Sequence, residues 1–223
     1  MPKVKIPRKS TTIDMTAMCD VAFLLLAFFI LCAKFKPSDA LSVTTPSSVF
    51  SKIAPETNVV TVTITPDSRV FLSVSDKNVS EKLAMINDIN VSKNLGLSDA
   101  EKSNFANRPA SYIGAPFSQL KSFLDKTPDE LKNMQLPGIP AKDSTNNELI
   151  DWIRAATGAF AGSKMALLVR GDNAAKYPAF QSVLIAFKRN DQLKFQMITS
   201  PIAAPRGSEL EKTQIVTGKK GVE

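Results

Sequence analysis

The chain has 223 residues, 43% of them apolar and 22% charged, with a formal net charge of +7. That is enough for one folded domain with segments to spare. There is no histidine, so the usual triad base and the commonest transition-metal ligand are missing. The basic residues are scattered among acids with few interleaved aromatics, whereas a nucleic-acid interface needs a continuous basic face.

Residues 1–13 read as a polar tail carrying Lys3, Lys5, Arg8 and Lys9, with no acid in the first dozen positions. From Met15 to Ala33 the run MTAMCDVAFLLLAFFILCA is apolar except at a few positions. It is about as long as the hydrocarbon core of a bilayer requires of a helix, and residues 14–35 are assigned as a transmembrane span. Thr11 or Thr12 suits the start cap, and Asp14 suits the positive end of the helix dipole. Lys34 and Lys36 can reach outward to the far interface, and Pro37 ends the helix. Flanking charge places the short N-terminal tail in the cytoplasm and the long C-terminal part outside. A cleaved signal peptide is the competing reading, since it too has a basic start and an apolar run. Against it stand the length of the run, the aspartate inside it, and the large Leu31 before Cys32, which makes a poor lipoprotein box. Cys19 and Cys32 lie roughly 20 Å apart along one helix, too far for a disulfide within it.

Residues 36–58 are rich in Ser, Thr and Pro and are expected to be a flexible, extended linker, in which Leu41-Ser42-Val43 alternates as a short strand would. VVTVTIT from Val59 has the period-two pattern of a half-buried strand. Pro66-Asp67-Ser68 is turn chemistry, and the alternation resumes from Arg69 to Val74, so a hairpin is expected. The stretch from about 76 to 145 is polar, with helical patterns over Ser80–Asn87, Ser98–Asn107, Phe117–Lys126 and Pro128–Met134, broken at Pro137-Gly138-Ile139-Pro140. It reads as a mostly helical insertion. A helix capped by Asn147 or Thr145 then runs from Glu148 to about Thr157. Met165–Val169 reads as a strand ended by Arg170-Gly171-Asp172. Tyr177–Arg189 reads as a helix with Phe180, Val183, Leu184 and Phe187 on one face, and Leu193–Thr199 as a last strand. Residues 201–223 form a charged tail expected to lack order. The class is α+β: one N-terminal membrane helix, then a small two-layer α/β sandwich over 59–200 with helices on one face of a mixed sheet.

Asp20 is the position that carries chemistry. An ionised carboxylate at the centre of a lipid-facing helix is penalised by about 2.5–3.5 kcal/mol, so the side chain has to face protein or a wet cavity. Desolvation disfavours the charged form of a carboxyl, and a group held between neutral and charged can take a proton from one side and release it to the other. The helix offers no basic partner within a turn of it. Thr16 lies one turn before on the same face and can donate a hydrogen bond. Ala27 lies two turns after, small enough for another helix to come close. The bland reading is a carboxyl kept neutral in a helix bundle without transport.

The run Ile13-Asp14-Met15-Thr16-Ala17-Met18-Cys19-Asp20-Val21-Ala22-Phe23-Leu24-Leu25-Leu26 resembles the membrane signature of the ExbD/TolR family of biopolymer-transport proteins. The family aspartate falls on Asp20 and its threonine on Thr16. Val59–Val74 looks like the family's first hairpin, and Met165–Thr199 looks like its final strand-helix-strand, with Leu168-Val169-Arg170-Gly171-Asp172 near its strand-end pattern. Ala17 stands where proline often follows the threonine, and Cys19 where a bulky aliphatic is usual. The resemblance implies a bacterial inner-membrane protein with a periplasmic domain, present as a homodimer inside an ExbB/TolQ-like channel pentamer. Protons would pass by way of Asp20, with Thr16 and Ala27 as supporting pore residues on its face. A TonB- or TolA-like coupler would receive the motion, and neither cofactor nor enzyme chemistry is implied. Energising TonB-type import, a TolR-like or other stator role, and a non-transporting anchored interaction module remain the alternatives. The long 76–145 segment suits a partner specific to this system.

Overall fold

A computed structural model describes residues 15–32, 41–49, 54–108, 112–127, 130–131, 134–142 and 146–216, with side chains up to 212. Thr11, Thr12, Asp14, Lys34, Lys36, Pro37 and Thr145, to which caps and stops were assigned, lie outside these residues, as does most of Pro128–Met134. The chain divides into two compact units, Met1–Ser38 and Asp39–Glu223. In the first, the apolar run forms helix α1, Met15–Cys32.

The second unit is built on a mixed five-stranded sheet. The expected hairpin is β2 (Val59–Ile64) and β3 (Val70–Val74), antiparallel with Val62 opposite Leu72. Its turn closes through the Ser68 amide donating to Thr65 O at 2.8 Å, with Ser68 itself left-handed at φ 62°. The remaining strands are β4 (Tyr112–Ile113), β5 (Ala166–Gly171) and β6 (Gln196–Met197), and the sheet order is β4-β3-β2-β5-β6. β5 is parallel to both β2 and β6. Val60, Val62 and Ile64, with Val70, Leu72 and Val74, put one face of the hairpin into the core. That face is covered by α2 (Val79–Lys93), α3 (Asp99–Asn107), α4 (Phe117–Leu124), α5 (Leu149–Ala159) and α6 (Tyr177–Arg189). Trp152 of α5 is fully buried between Phe105 and Phe117. The class is therefore the expected one, a two-layer α/β sandwich behind an apolar helix.

The described residues between 76 and 142 are mostly helical, as expected, yet they are built into the sandwich. α2 packs on α5 and supplies Met85, Ile86 and Ile89 to the core. It runs six residues beyond the expected Asn87 and stops where Asn94 turns left-handed at φ 51°. Ser98 and Glu101 form a reciprocal capping box at the start of α3. The segment also supplies β4, which pairs Ile113 with Leu72, and a bridge from Ile139 to Val70. A two-residue strand has no period to read, so β4 was invisible in sequence.

The other face of the sheet is closed by long polar side chains. Arg170 of β5 donates to the Tyr112 hydroxyl of β4 at 3.2 Å and stacks on its ring. Because β2 and β3 lie between them, both side chains reach across that face, beneath which Thr63 is fully buried. Phe71, on the same face, is sealed by Gly114 and by the Arg69 guanidinium at 5.9 Å.

Several local expectations are corrected. Asn147 does not cap α5: its amide is buried and donates to Ser182 O of α6 at 2.8 Å. The face that α6 buries is Ala179, Ser182, Val183, Ala186 and Phe187, with Phe180 and Leu184 only half-buried, because small residues let the helix lie close. The strand expected over Leu193–Thr199 pairs with β5 only at Gln196–Met197. Beyond it, β7 (Ser200–Pro201) pairs in parallel with β1 (Ser47–Ser48). That pairing lies inside the stretch expected to be a free linker, and it falls at Ser47–Ser48 rather than at Leu41–Val43. The C-terminal segment expected to lack order carries α7, Glu209–Val216, started by Ser208 Oγ accepting the Glu211 amide. One hydroxyl cap and the Lys212–Glu209 pair favour helix there despite the charge.

Candidate functional site

The 18 residues of α1 span about 27 Å at 1.5 Å per residue, close to the thickness of a bilayer's hydrocarbon core. Its mean hydropathy is 2.3, and none of its residues is buried. A helix this apolar inside a soluble domain would be buried, and no residue of α1 is. Apart from Asp20 the segment carries no charged residue.

Thr16, Asp20, Phe23 and Ala27 follow one another at spacings of four, three and four, which places them on one stripe. The three positions singled out in sequence thus lie along one stripe of α1, with Ala27 about 10 Å beyond Asp20 along the axis. Asp20 is exposed, and Ala27 is the one described position on α1 that is half-covered. Cys19 and Cys32 are free thiols, both exposed. A carboxyl on the outer surface of an apolar helix has two ways to be tolerated in a bilayer: a second protein surface or water. The small Ala27, between large neighbours, leaves room for an approaching helix.

The outer domain carries a second constellation that the sequence did not disclose. Asp172, just past the end of β5, uses both carboxylate oxygens. Oδ1 accepts the Ala174 amide at 2.8 Å, a local turn contact. Oδ2 accepts the Thr44 amide at 2.6 Å from 128 residues away. Around this contact the Asn173 amide donates to Thr44 O at 2.9 Å, the Ser200 amide to Pro46 O at 2.9 Å and the Ile202 amide to Ser48 O at 3.0 Å. The hydroxyls of Thr45 and Ser200 meet at 2.8 Å. An aspartate after a strand signals a turn; nothing local to it points to residue 44.

Among the other acids of the domain, Glu148 stands out. Desolvation pushes its carboxyl above the ordinary value of 4.5, opposed by the Phe117 amide that it accepts at 2.8 Å and by Lys93. It thereby caps α4 from α5. Glu101 is moved the other way, mainly by the Ser98 amide of the capping box.

A family model described as biopolymer transport protein ExbD/TolR matches residues 7–201, a stretch that includes the whole of α1 and the whole sheet. No curated protein and no solved structure matches the chain.

Proposed function

The chain belongs to the ExbD/TolR family of biopolymer transport proteins, and on that premise we propose that it is the proton-handling subunit of an inner-membrane motor, with Asp20 as the proton carrier. One observation carries the reading: an acid, Asp20, within an apolar, membrane-length helix none of whose residues is buried. Such a helix is complete only inside a complex. The surface that completes it is an ExbB/TolQ-like channel pentamer holding two copies of this chain, with Thr16 and Ala27 lining the path beside Asp20. The family match beginning at residue 7 supports a retained helix rather than a discarded leader. Flanking charge supports a cytoplasmic N-terminus and a periplasmic domain.

The driving force is adequate: one elementary charge crossing 100 mV releases about 2.3 kcal/mol, so a few protons can drive repeated rotation. The outer domain then passes motion to a TonB- or TolA-like coupler. Import through a TonB-type system is the leading reading, with a TolR-like role in envelope maintenance beside it; recovery of the coupler with the purified complex separates them. The central test is Asp20→Asn, which keeps size and removes titration. The variant is expected to insert and to co-purify with its channel partner, while the process it energises stops. Normal energisation by Asp20→Asn removes the proton-carrier role and leaves an anchored interaction module.

A further inference from the structure

Helix α1 differs on the two sides of its acid. Toward the N-terminus, Thr16 sets a hydroxyl one turn from Asp20. Toward the C-terminus, every residue from Val21 to Leu31 is apolar, which gives about 15 Å of helix without a side chain that can pass a proton. Long side chains of a helix lean back toward its N-terminus and cover the turn before their own Cα. The carboxyl of Asp20 therefore leans toward Thr16. The side chains that lean over it from the other side are those three and four positions later, Phe23 and Leu24.

Phe23 and Leu24 are both exposed, so their apolar surface is left for whatever surrounds the helix. The other aromatic residues of α1 are placed differently. Phe28 and Phe29 meet edge to face at 5.9 Å, and Phe29 falls on the side of the helix opposite Asp20. Ala27, one turn past Phe23, is small. A helix that comes close at Ala27 meets Phe23 and Leu24 as the first bulky groups on the way to the acid.

We propose that Phe23 and Leu24 form an apolar gate on the C-terminal side of Asp20, which lets the carboxyl exchange its proton with one side of the membrane at a time. They are positioning residues: the proton rides on Asp20, and the O–H bond that forms on loading is the one that breaks on release. An apolar constriction closes by dewetting, and without a chain of water a proton does not pass it. Without the gate, Thr16, Asp20 and the space beside Ala27 would form one continuous wet path, and the gradient would drain without doing work. The inference rests on reading Asp20 as the proton carrier.

The full chain, purified with its channel subunit and reconstituted in liposomes, tests the gate. Proton entry under an imposed potential is followed with a pH-sensitive dye. The unaltered complex, idle without a coupler, is expected to be tight. Phe23→Ala and Leu24→Ala are each expected to raise proton flux about tenfold, the change that a barrier lower by about 1.4 kcal/mol gives. Phe23→Leu keeps most of the apolar bulk and should leak much less. Phe29→Ala removes the same bulk from the opposite face and should stay tight. Adding Asp20→Asn to Phe23→Ala should abolish the leak. Leu24→Ala loses less bulk than Phe23→Ala and carries the test where the larger change prevents assembly. The gate is overturned if the assembled alanine variants are tight, if Phe29→Ala leaks as they do, or if neither alanine variant assembles with the channel. It is overturned too if the leak survives Asp20→Asn, which would mark a hole rather than a path by way of the acid. A tight Phe23→Ala complex leaves the carrier role of Asp20 standing, and that role is decided separately by the work that Asp20→Asn alone can energise.

Discussion

Gly114→Ala probes whether the segment between the hairpin and α5 is built into the domain. Gly114 follows β4 and does not sit at positive φ, so alanine strains no backbone there. A Cβ at that position would lie 2.3 Å from both Cδ1 and Cε1 of Phe71, where carbon atoms ordinarily stay about 3.5–4 Å apart. The ring has little room to retreat. Phe71 is fully buried within β3, with the Arg69 guanidinium over it. Arg69 in turn donates to Leu136 O at 2.7 Å, and the Gly138 amide donates to Gly114 O at 2.9 Å. Overpacking of this kind costs about 1–3 kcal/mol. For a domain of this size that lowers Tm by about 2–12 °C. The assay is built in: Trp152 is the sole tryptophan of the chain and is fully buried in the domain core. Its fluorescence during thermal unfolding of the full chain in detergent reports on that core alone. Gly114→Ala with Phe71→Leu should lose less than the sum of the two single changes, because the two side chains share one space. A Tm unchanged by Gly114→Ala would mean that the segment does not rest on Phe71, and the account of β4 and of residues 134–141 as part of the sandwich would be wrong.

Two further outcomes follow from the charges of the domain. Glu148 is raised by burial, so the folded domain holds its proton more tightly than the unfolded chain does; its contribution is complete below 4.5 and is lost as pH rises through the folded value. Glu148→Gln keeps an acceptor for the Phe117 amide, so its Tm should match that of the unaltered chain at pH 4 and exceed it at pH 7. The opposite ordering at pH 7 would mean that the charge itself holds α4. Lys82 is buried to 1% exposure, while its partner Asp76, at 3.0 Å, is half-exposed. Asp76→Ala strands a buried cation and should cost about 3 kcal/mol or more, whereas Lys82→Met leaves a solvated acid and should be near neutral by urea unfolding. Equal losses would show that the pair, and not the desolvated lysine, sets the energy.

What the sequence determined by itself is local and periodic. An 18-residue apolar run can only be a helix that seeks lipid or a protein surface, and an acid within it stands out against that composition. The stripe Thr16, Asp20, Ala27 follows from helical spacing alone. The hairpin and α6 were readable because their apolar residues recur at two and at about 3.6 residues. The tertiary structure decided what has no period. β4 and β6 are two residues each, fixed by neighbours rather than by pattern. Asn147 had two plausible bonds, and packing of α5 on α6 chose the distant one. Helix α2 entered the core because it found α5, and Gly114 let Phe71 close on the opposite face of the sheet. Above all, the linker acquired a partner 128 residues away at Asp172, since a backbone amide bonds whatever acceptor the folded chain carries to it, and no residue type at position 44 announces which one that is.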